Sequence, residues 1–305
     1  MIRPDFPSVI DSSLIAAFRS CPQKAFREFI QHWKPREPSV HLHAGASFAK
    51  GLEVTRTAFY VEGQSPQDAL TAGLHALVSH YGEFECPADS AKSLERMAGA
   101  MEFYFDRYPL GHDKAVPMTL PGGKRGIEFS FLEPIDAVHP VTGDPLLYSG
   151  RFDMIVDYEN LALGEDDKTA SQLGASWSRQ WDLRSQFTAY VWGAQRAGIK
   201  LDGFLVRGVS ILKTKYDTLE AITYRPQWQI DRWYAQTLRD VARMREAWES
   251  GVWDYNLDHA CAEYGGCPFK SVCQMSRPEI LLEQQFERRK WDPVLRTETL
   301  LEEQS

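Results

Sequence analysis

Apolar residues recur every three or four positions through the first third of the chain, which is the period of an amphipathic helix. Asp11 stands just before the first apolar stripe and has a side chain that can cap a helix. We therefore predict a helical region over residues 1–115. Its helices are expected at residues 12–33, 45–60, 68–81 and 90–108.

The apolar period shortens towards two after the turn at Pro121, Gly122 and Gly123, and this shorter period is typical of strands. The pattern predicts an α/β (α+β) fold with a central mixed sheet flanked by helices. We expect one domain over residues 1–305, with a catalytic sheet core over 120–225 and a helical, cysteine-bearing region over 226–305. Strands are expected at residues 127–131, 146–157, 161–169, 203–213 and 219–224, and helices at 181–197, at 227–248 and in the tail beyond 277.

Composition narrows the class of protein. The 305 residues contain no apolar run of about 18 residues, and the first segment lacks the apolar centre of a secretion signal. We therefore expect a cytoplasmic protein whose thiols stay reduced. The net charge of −8 disfavours a surface that coats nucleic acid broadly, but it is compatible with an acidic site that reaches phosphate through a bound metal.

Residues 148–170 carry the densest candidate chemistry. Two strand-like segments flank a tight corner at Glu159–Asn160; the first contains Asp153 and the second contains Asp166 and Lys168. Alternate residues of a strand face the same side, so Asp166 and Lys168 project together while the acidic residue between them points away. Two carboxylates beside an ammonium group indicate a site for a divalent metal ion.

Such a site suits phosphodiester hydrolysis. Carboxylate-bound Mg²⁺ or Mn²⁺ acidifies water and contacts the phosphoryl oxygen. The expected ligands are the side chains of Asp153 and Asp166 and the backbone carbonyl of Asp167, with Glu128 on a neighbouring strand as a support, directly or through water. Lys168 could orient or deprotonate the water, or offset charge in the transition state. A surface salt-bridge patch is the alternative, because D-x-K triplets are common.

The helix expected after this stretch carries Gln186 and Tyr190. Their spacing of four residues puts both side chains on one helical face, and Arg184 lies close to the start of the same helix. These residues could serve the same site. The alternative is that Tyr190 belongs to the core and that Gln186 and Arg184 lie on the surface.

Three cysteines, Cys261, Cys267 and Cys273, follow one another at equal spacing. Three thiols so close together in a reduced compartment are more often metal ligands than a coincidence. A closed site needs a fourth ligand, for which Cys21 is the best candidate and His259 a weaker one. Four thiolates suit either an iron–sulfur cluster or zinc, and disulfides remain the other alternative.

Six segments, taken in order over residues 12–273, resemble the RecB-like branch of the PD-(D/E)XK nuclease superfamily. They correspond to the opening helix with its first cluster cysteine, the glutamate strand, the G-x-x-D metal strand, the D-x-K-T strand, the Q-x-x-x-Y helix and the terminal cysteine cluster. The segments are SSLIAAFRSCPQKAF with Cys21, IEFSF with Glu128, GRFDMIVD with Asp153, EDDKTA with Asp166 and Lys168, QFTAY with Gln186 and Tyr190, and CAEYGGCPFKSVC with the late cysteines. The cysteine pattern is similar to that of AddB-type nucleases and of the RecB-like nuclease of CRISPR adaptation.

The resemblance implies a restriction-endonuclease-like, Mg²⁺- or Mn²⁺-dependent deoxyribonuclease. It implies that a 4Fe–4S cluster, with Zn²⁺ as the alternative, joins the N-terminal helical region to the C-terminal segment, and that Gln186 and Tyr190 help to place the DNA or the catalytic lysine. We expect an exonuclease or end-processing enzyme of recombination, repair or phage DNA metabolism, in a bacterial or phage-infected cell. Its substrate would be single-stranded DNA or DNA with a free end. The sequence has no P-loop motif, so any helicase or recombination motor would be a separate partner.

One position departs from the family pattern. Members often carry a metal-binding histidine in a G-x-x-x-H motif of the early helix, whereas the corresponding GASFA segment has Ala49 at that position. The change could weaken a second metal position, shift its role to Glu53 or Glu128, or mark altered activity. The alternative function is therefore a catalytically weak or inactive DNA-binding or structural module stapled by a four-cysteine metal site.

Overall fold

The computed structural model of the protein describes residues 4–37, 39–262 and 266–300. Helices form at each of the places where the sequence pattern predicts one, although several differ in their ends. The helices are α1 Ser12–Ser20, α2 Pro22–Ala25, α3 Val40–Tyr60, α4 Pro66–Tyr81, α5 Leu94–Arg107, α6 Ala175–Arg179, α7 Ser185–Arg196, α8 Gln227–Ser250, α9 His259–Ala262, α10 Lys270–Cys273 and α11 Pro278–Gln285, with a π-helical turn at Phe26–Ile30.

Eleven strands are present among the described residues. They are β1 Val9–Asp11, β2 Trp33–Pro35, β3 Ala115–Pro117, β4 Ser130–Val138, β5 Pro145–Arg151, β6 Met154–Tyr158, β7 Leu161–Ala170, β8 Gly203–Ile211, β9 Tyr216–Tyr224, β10 Phe286–Asp292 and β11 Thr297–Leu300. The predicted corner between β6 and β7 is present: Glu159 and Asn160 both have positive φ, at 52° and 73°. Two successive left-handed residues fit the tight turn of a two-residue hairpin.

The chain divides into two compact units, each assembled from separate parts of the sequence. We call them the cysteine unit and the sheet unit, after the candidate chemistry that each contains. The cysteine unit comprises Met1–Glu37, Phe131–Gly150 and Asp231–Ser305, and the sheet unit comprises Pro38–Ser130 and Arg151–Ile230.

The sheet unit is built on a five-stranded sheet in the order β3-β6-β7-β8-β9. Strands β7 and β8 are parallel and the other neighbours are antiparallel, so the sheet is mixed. Helix α3 packs against α4 at a close approach that needs glycine: a Cβ atom on Gly73 would lie 2.6 Å from the carbonyl oxygen of Gly51. On the sheet, Phe187 of α7 stacks on Phe204 of β8, with ring centroids 4.5 Å apart. A mixed sheet flanked by helices confirms the predicted fold class.

The cysteine unit contains two three-stranded sheets, in the orders β1-β5-β4 and β11-β10-β2. A small apolar core joins α10, the residue before it, α11 and β10; its members are Phe269, Val272, Leu282 and Phe286. The tail was predicted to be helical beyond residue 277, and this is wrong after Gln285. There β10 pairs with β2 and β11, because its backbone finds strand partners that are remote in sequence.

Two strand predictions are also wrong in their limits. Residues 146–157 form not one strand but two, β5 and β6, which belong to different sheets. The break falls at Phe152 and Asp153, whose backbone groups bond to an irregular neighbouring segment: Phe152 N–H donates to the Phe129 carbonyl at 2.9 Å, and Glu128 N–H donates to the Asp153 carbonyl at 3.1 Å. The strand predicted over 127–131 begins only at Ser130, so Glu128 lies before it.

None of the described helices combines the length and the apolar character that a membrane span needs.

Candidate active site and cysteine cavity

The hairpin of β6 and β7 brings Asp153 and Asp166 together. Its register pairs Met154 with Glu165, so Asp153, directly before β6, lies opposite Asp166. The Asp167 N–H donates to the Asp153 carboxylate at 3.0 Å. Burial, and then the charge of Asp166, raise the pKa of Asp153 to about 7. Buried carboxylates that oppose each other's ionisation form a site that is stabilised by a bound cation.

Lys168 reaches the same carboxylates. Its ammonium group contacts the Asp166 carboxylate, and the Asp166 side chain is only 6% exposed. Burial acts to lower the pKa of Lys168, but the charges of Asp166 and Asp153 outweigh it and raise that pKa. These two carboxylates therefore hold Lys168 as a cation.

Glu128 lies beside Asp153, although not on the regular strand predicted for it. Its φ of 51° is left-handed, which is uncommon for a residue other than glycine and recurs at functional sites. The Glu128 carboxylate pairs with Arg151 Nε at 2.9 Å. Burial, followed by the charge of Asp153, raises the pKa of Glu128 to about 8. An irregular backbone thus places a third carboxyl group next to the pair.

Helix α7 presents Gln186 and Tyr190 on one face, as their spacing predicts. Gln186 Nε2 donates to the Tyr190 hydroxyl at 3.2 Å, and the Tyr190 ring lies 5.1 Å from the ring of Phe152. The charge of Tyr190 also raises the pKa of Lys168, after the charges of Asp166 and Asp153. Arg184, the residue before α7, is exposed, and its charge opposes the rise in the pKa of Asp166 that burial causes.

The sequence pattern missed the residues behind the site. Arg56 of α3 is buried and makes ion pairs of 2.7 Å with both Glu165 and Asp167. Tyr104 of α5 is buried beside it and donates to Asp167 at 2.8 Å. The available signal was an arginine within the apolar stripe of a predicted helix, because such a position needs a buried carboxylate as a partner.

A family model matches most of the chain. The model, described as the PD-(D/E)XK nuclease superfamily, matches residues 12–274. The chain belongs to this superfamily. Membership supports nuclease activity in general and confirms the resemblance at the level of the superfamily. The RecB-like, iron–sulfur branch stays a prediction.

Two solved structures are similar to this PD-(D/E)XK chain at low identity. A crystal structure of a candidate exonuclease from Eubacterium rectale shares 14% identity over 83% of this chain and 87% of its own, with a TM-score of 0.46. The protein SSO0001 shares 16% identity over 64% of this chain and 73% of its own, with a TM-score of 0.27. At these scores the likeness assigns no role to any residue. The sequence has no significant match among curated proteins.

Ala49 stands at the position where RecB-like nucleases often carry a metal-binding histidine. Ala49 is exposed on α3, and Glu53 lies one turn further along the same helix, where it pairs with Lys50 at 2.8 Å. The charge of Glu53 also contributes to the raised pKa of Glu128, after burial and Asp153. In this PD-(D/E)XK chain, Glu53 is thus an acidic side chain on the same helix as Ala49, and its charge raises the pKa of Glu128.

A separate cavity in the cysteine unit is lined by all four candidate cysteines, Cys21, Cys261, Cys267 and Cys273. Cys21 has extended backbone angles and interrupts the helix predicted over 12–33, which turns its segment into α1 and α2. Among the lining residues of this cavity, His259 is absent. Residues 263–265, within the cysteine motif, lie outside the described residues.

The four thiols line this cavity, but they are not arranged as a complete metal coordination site. All five cysteines of the chain are free, which disagrees with the disulfide alternative. Within the described ranges, no three Cys, His, Asp or Glu side chains already surround a metal position. Arg27, which is buried, donates from Nη1 to Cys273 Sγ at 2.9 Å, and Asn256 N–H donates to Cys21 Sγ at 3.5 Å. The metal centre at these thiols therefore stays a prediction.

Proposed function

We propose that the protein is a metal-dependent DNA nuclease. The observation that carries the proposal is the convergence of Asp153, Asp166 and Lys168 in a chain of the PD-(D/E)XK superfamily. Mg²⁺ or Mn²⁺ would be held by the side chains of Asp153 and Asp166 and by the carbonyl of Asp167, with Glu128 as a ligand or as a support through water. Oxygen donors of this kind are those that hard divalent cations prefer, and the raised pKa values of Asp153 and Glu128 mark carboxyl groups that such an ion would ionise.

The residues of the chain divide the chemistry as follows. A metal ion held by these carboxylates would supply an acidified water and Lewis-acid contact with the phosphoryl oxygen. Lys168, held as a cation by Asp166, offsets the negative charge that builds on the phosphate. Tyr190 is held by Gln186 and by its contact with Phe152, and it would help to place the Lys168 ammonium group.

We further propose that the enzyme acts on DNA ends, as an exonuclease or end-processing nuclease of recombination, repair or phage DNA metabolism in the cytoplasm. This step follows the RecB-like resemblance of the ordered motifs. A helicase or recombination protein would be a partner of such an enzyme.

The test compares DNA substrates that differ only in their ends. Linear single-stranded and double-stranded DNA, labelled at either the 5′ or the 3′ end, is incubated with Mn²⁺ beside a covalently closed circle of the same sequence. We expect the linear DNA to be degraded from one end and the circle to resist. Equal cleavage of the circle would replace the exonuclease by an endonuclease. A lack of cleavage of every substrate would favour the inactive DNA-binding module.

We also propose that Cys21, Cys261, Cys267 and Cys273 hold a 4Fe–4S cluster, with Zn²⁺ as the alternative. Four thiol donors on one cavity match the ligand set of both. The cationic side chains of Lys24, Arg27 and Lys270 line the same cavity and would balance the negative charge of a thiolate-bound cluster.

Replacing any one of these cysteines should release the metal. We expect wild-type protein purified without oxygen to be brown, with broad visible absorption and bound iron and sulfide. Cys21→Ser and Cys267→Ser should lose both. Cys86→Ser is the matched control, because Cys86 does not line the cavity, and it should keep them. Iron and zinc are measured by metal analysis.

Two results would correct this assignment. A colourless wild-type protein loaded with zinc would decide for the zinc site. Iron retained by Cys21→Ser but lost by Cys267→Ser would show that the fourth ligand is another residue, and His259→Ala would then identify or exclude the weaker candidate.

A further inference from the structure

Glu165 and Asp167 flank Asp166 in β7, yet they serve a different face of the sheet. Side chains alternate along a strand, so Asp166 and Lys168 face one side while Glu165 and Asp167 face the other. On that other side Arg56 of α3 holds both carboxylates: Nη1 donates to Asp167 Oδ2 and Nη2 to Glu165 Oε1, each at 2.7 Å. Arg56 is only 3% exposed, so these contacts are made away from water.

Tyr104 forms the second hydrogen bond that holds the Asp167 carboxylate. Its hydroxyl accepts a hydrogen bond from Arg56 Nη2 at 2.7 Å and donates one to Asp167 Oδ1 at 2.8 Å. Both carboxylate oxygens of Asp167 are therefore held, one by Arg56 and the other by Tyr104. Tyr104 is 1% exposed. A buried, mutually satisfied group of this kind fixes the side chain that it holds.

The same residue reaches the metal site through its backbone. The Asp167 N–H donates to Asp153 Oδ2 at 3.0 Å. The Asp167 peptide thus touches the carboxylate of one proposed ligand, and its own carbonyl is the proposed third ligand. A shift of the Asp167 backbone would move both groups, and the contacts that anchor the Asp167 side chain oppose such a shift.

We propose that Arg56 and Tyr104 are positioning residues of the metal site, which act by fixing Asp167 so that its peptide group orients Asp153. They touch neither metal nor DNA. The proposal rests on the proposed function, since it assigns these residues to the same metal. Partners that orient metal-binding carboxylates typically change metal affinity by roughly 10- to 100-fold when they are removed.

Arg207 of β8 provides an internal comparison. It is 1% exposed and faces the same side of the sheet, since it pairs with Asp167 in the parallel ladder. Its ion pairs, however, join Asp113 at 2.6 Å, Glu220 at 3.0 Å and Glu165 at 3.6 Å. Arg207 thus supports the same buried network as Arg56 without an ion pair to Asp167, and its Nη1 reaches the Tyr104 hydroxyl only at 3.5 Å. A merely structural role for the network predicts similar effects at both arginines.

The test measures Mn²⁺ binding to full-length Arg56→Lys, Arg207→Lys and Tyr104→Phe in the absence of DNA. Lysine keeps the charge but cannot bridge two carboxylates as a guanidinium group does. We expect Arg56→Lys and Tyr104→Phe to raise the Mn²⁺ dissociation constant by roughly 10-fold or more and Arg207→Lys to leave it unchanged. In DNA cleavage, the Arg56 variant should show a lower kcat at limiting Mn²⁺, partial recovery at high Mn²⁺ and an unchanged KM for DNA.

Thermal melts and circular dichroism establish that each variant is folded, and Tyr104→Phe, which removes a single hydroxyl group, serves where Arg56→Lys does not fold. Wild-type Mn²⁺ affinity in the folded Arg56 and Tyr104 variants would overturn the proposal. Equal loss of affinity in Arg207→Lys would also overturn it, because the network would then act only through the fold. A wild-type protein that binds no Mn²⁺ would overturn the proposed function together with this inference.

Discussion

Asp166→Asn should abolish Mn²⁺-dependent cleavage of linear DNA. The asparagine keeps the size of the side chain but removes the charge that binds the metal, in a position where the side chain is only 6% exposed and water cannot substitute freely. Lys168→Met should lower kcat by roughly 100- to 1,000-fold, because it removes one preorganised charge that acts on the transition state. Both rates are measured at saturating DNA with end-labelled substrate.

The hairpin itself offers the matched controls. Glu159 and Lys114 also form a carboxylate–ammonium pair, at 2.7 Å, but the two side chains are 58% and 62% exposed. Glu159→Gln and Lys114→Met should cleave DNA at the wild-type rate. Wild-type activity in Asp166→Asn and Lys168→Met would contradict the catalytic assignment, and cleavage would then have to be traced to a contaminant or to another site.

The contrast between these two ion pairs explains what the sequence could predict about the site. A D-x-K triplet is equally compatible with a surface pair and with a buried site, and strand phase alone selects Asp166 and Lys168 as partners. The fold class, the hairpin corner at Glu159–Asn160 and the shared face of Gln186 and Tyr190 all follow from local periods. Such spacings of apolar and polar residues can be read from one sequence without knowledge of the tertiary contacts.

What the sequence could not predict depends on contacts between remote residues. The strand expected over 146–157 is divided because Phe152 and Asp153 bond to the segment that carries Glu128, and nothing in the apolar alternation marks that break. The tail beyond Gln285 becomes a strand because β2 offers it a partner some 250 residues away in the chain. Tertiary partners override local preference in both cases.

The acidic triplet shows the same limit at the site itself. The alternation of a strand places Glu165 and Asp167 on the face opposite to Asp166, but it does not indicate what these two carboxylates contact. Their purpose follows from Arg56, which stands more than a hundred residues earlier. The structure thus shows these two carboxylates as the partners of a buried arginine behind the proposed metal site.

Stability should fall as pH rises from about 5 to about 8 in the presence of a chelator, and Mn²⁺ should restore it. Burial raises the pKa of Asp153 to about 7 and that of Glu128 to about 8, above their ordinary values near 4. The folded state therefore binds these protons more tightly than the unfolded state. Their contribution to stability is complete below about pH 4 and is lost as pH rises through the raised pKa values.

A divalent cation reverses this trend because it replaces the protons that the carboxyl groups lose. Metal binding releases protons, so the apparent Mn²⁺ affinity should increase from about pH 6 to about pH 8. At a metal concentration of about 100 times the dissociation constant, binding adds roughly 2.7 kcal/mol to the free energy of unfolding. For a chain of 305 residues that corresponds to a rise in Tm of roughly 4 °C, larger at the higher pH.

Asp153→Asn separates this effect from the general titration of the chain. Asparagine carries no proton that must be lost, so without metal the variant should lose less stability than wild type as pH rises. It should gain little from Mn²⁺, whereas Glu159→Gln, on the exposed turn, should follow wild type in both respects. A wild-type Tm that is insensitive to Mn²⁺ at both pH values would contradict the metal site. A Tm that Mn²⁺ raises equally in Asp153→Asn would place the ion elsewhere in the chain. Ionisation of these two carboxyl groups is thus predicted to destabilise the metal-free protein. A loss of stability at a site that must bind a cation is the expected trade-off between stability and function.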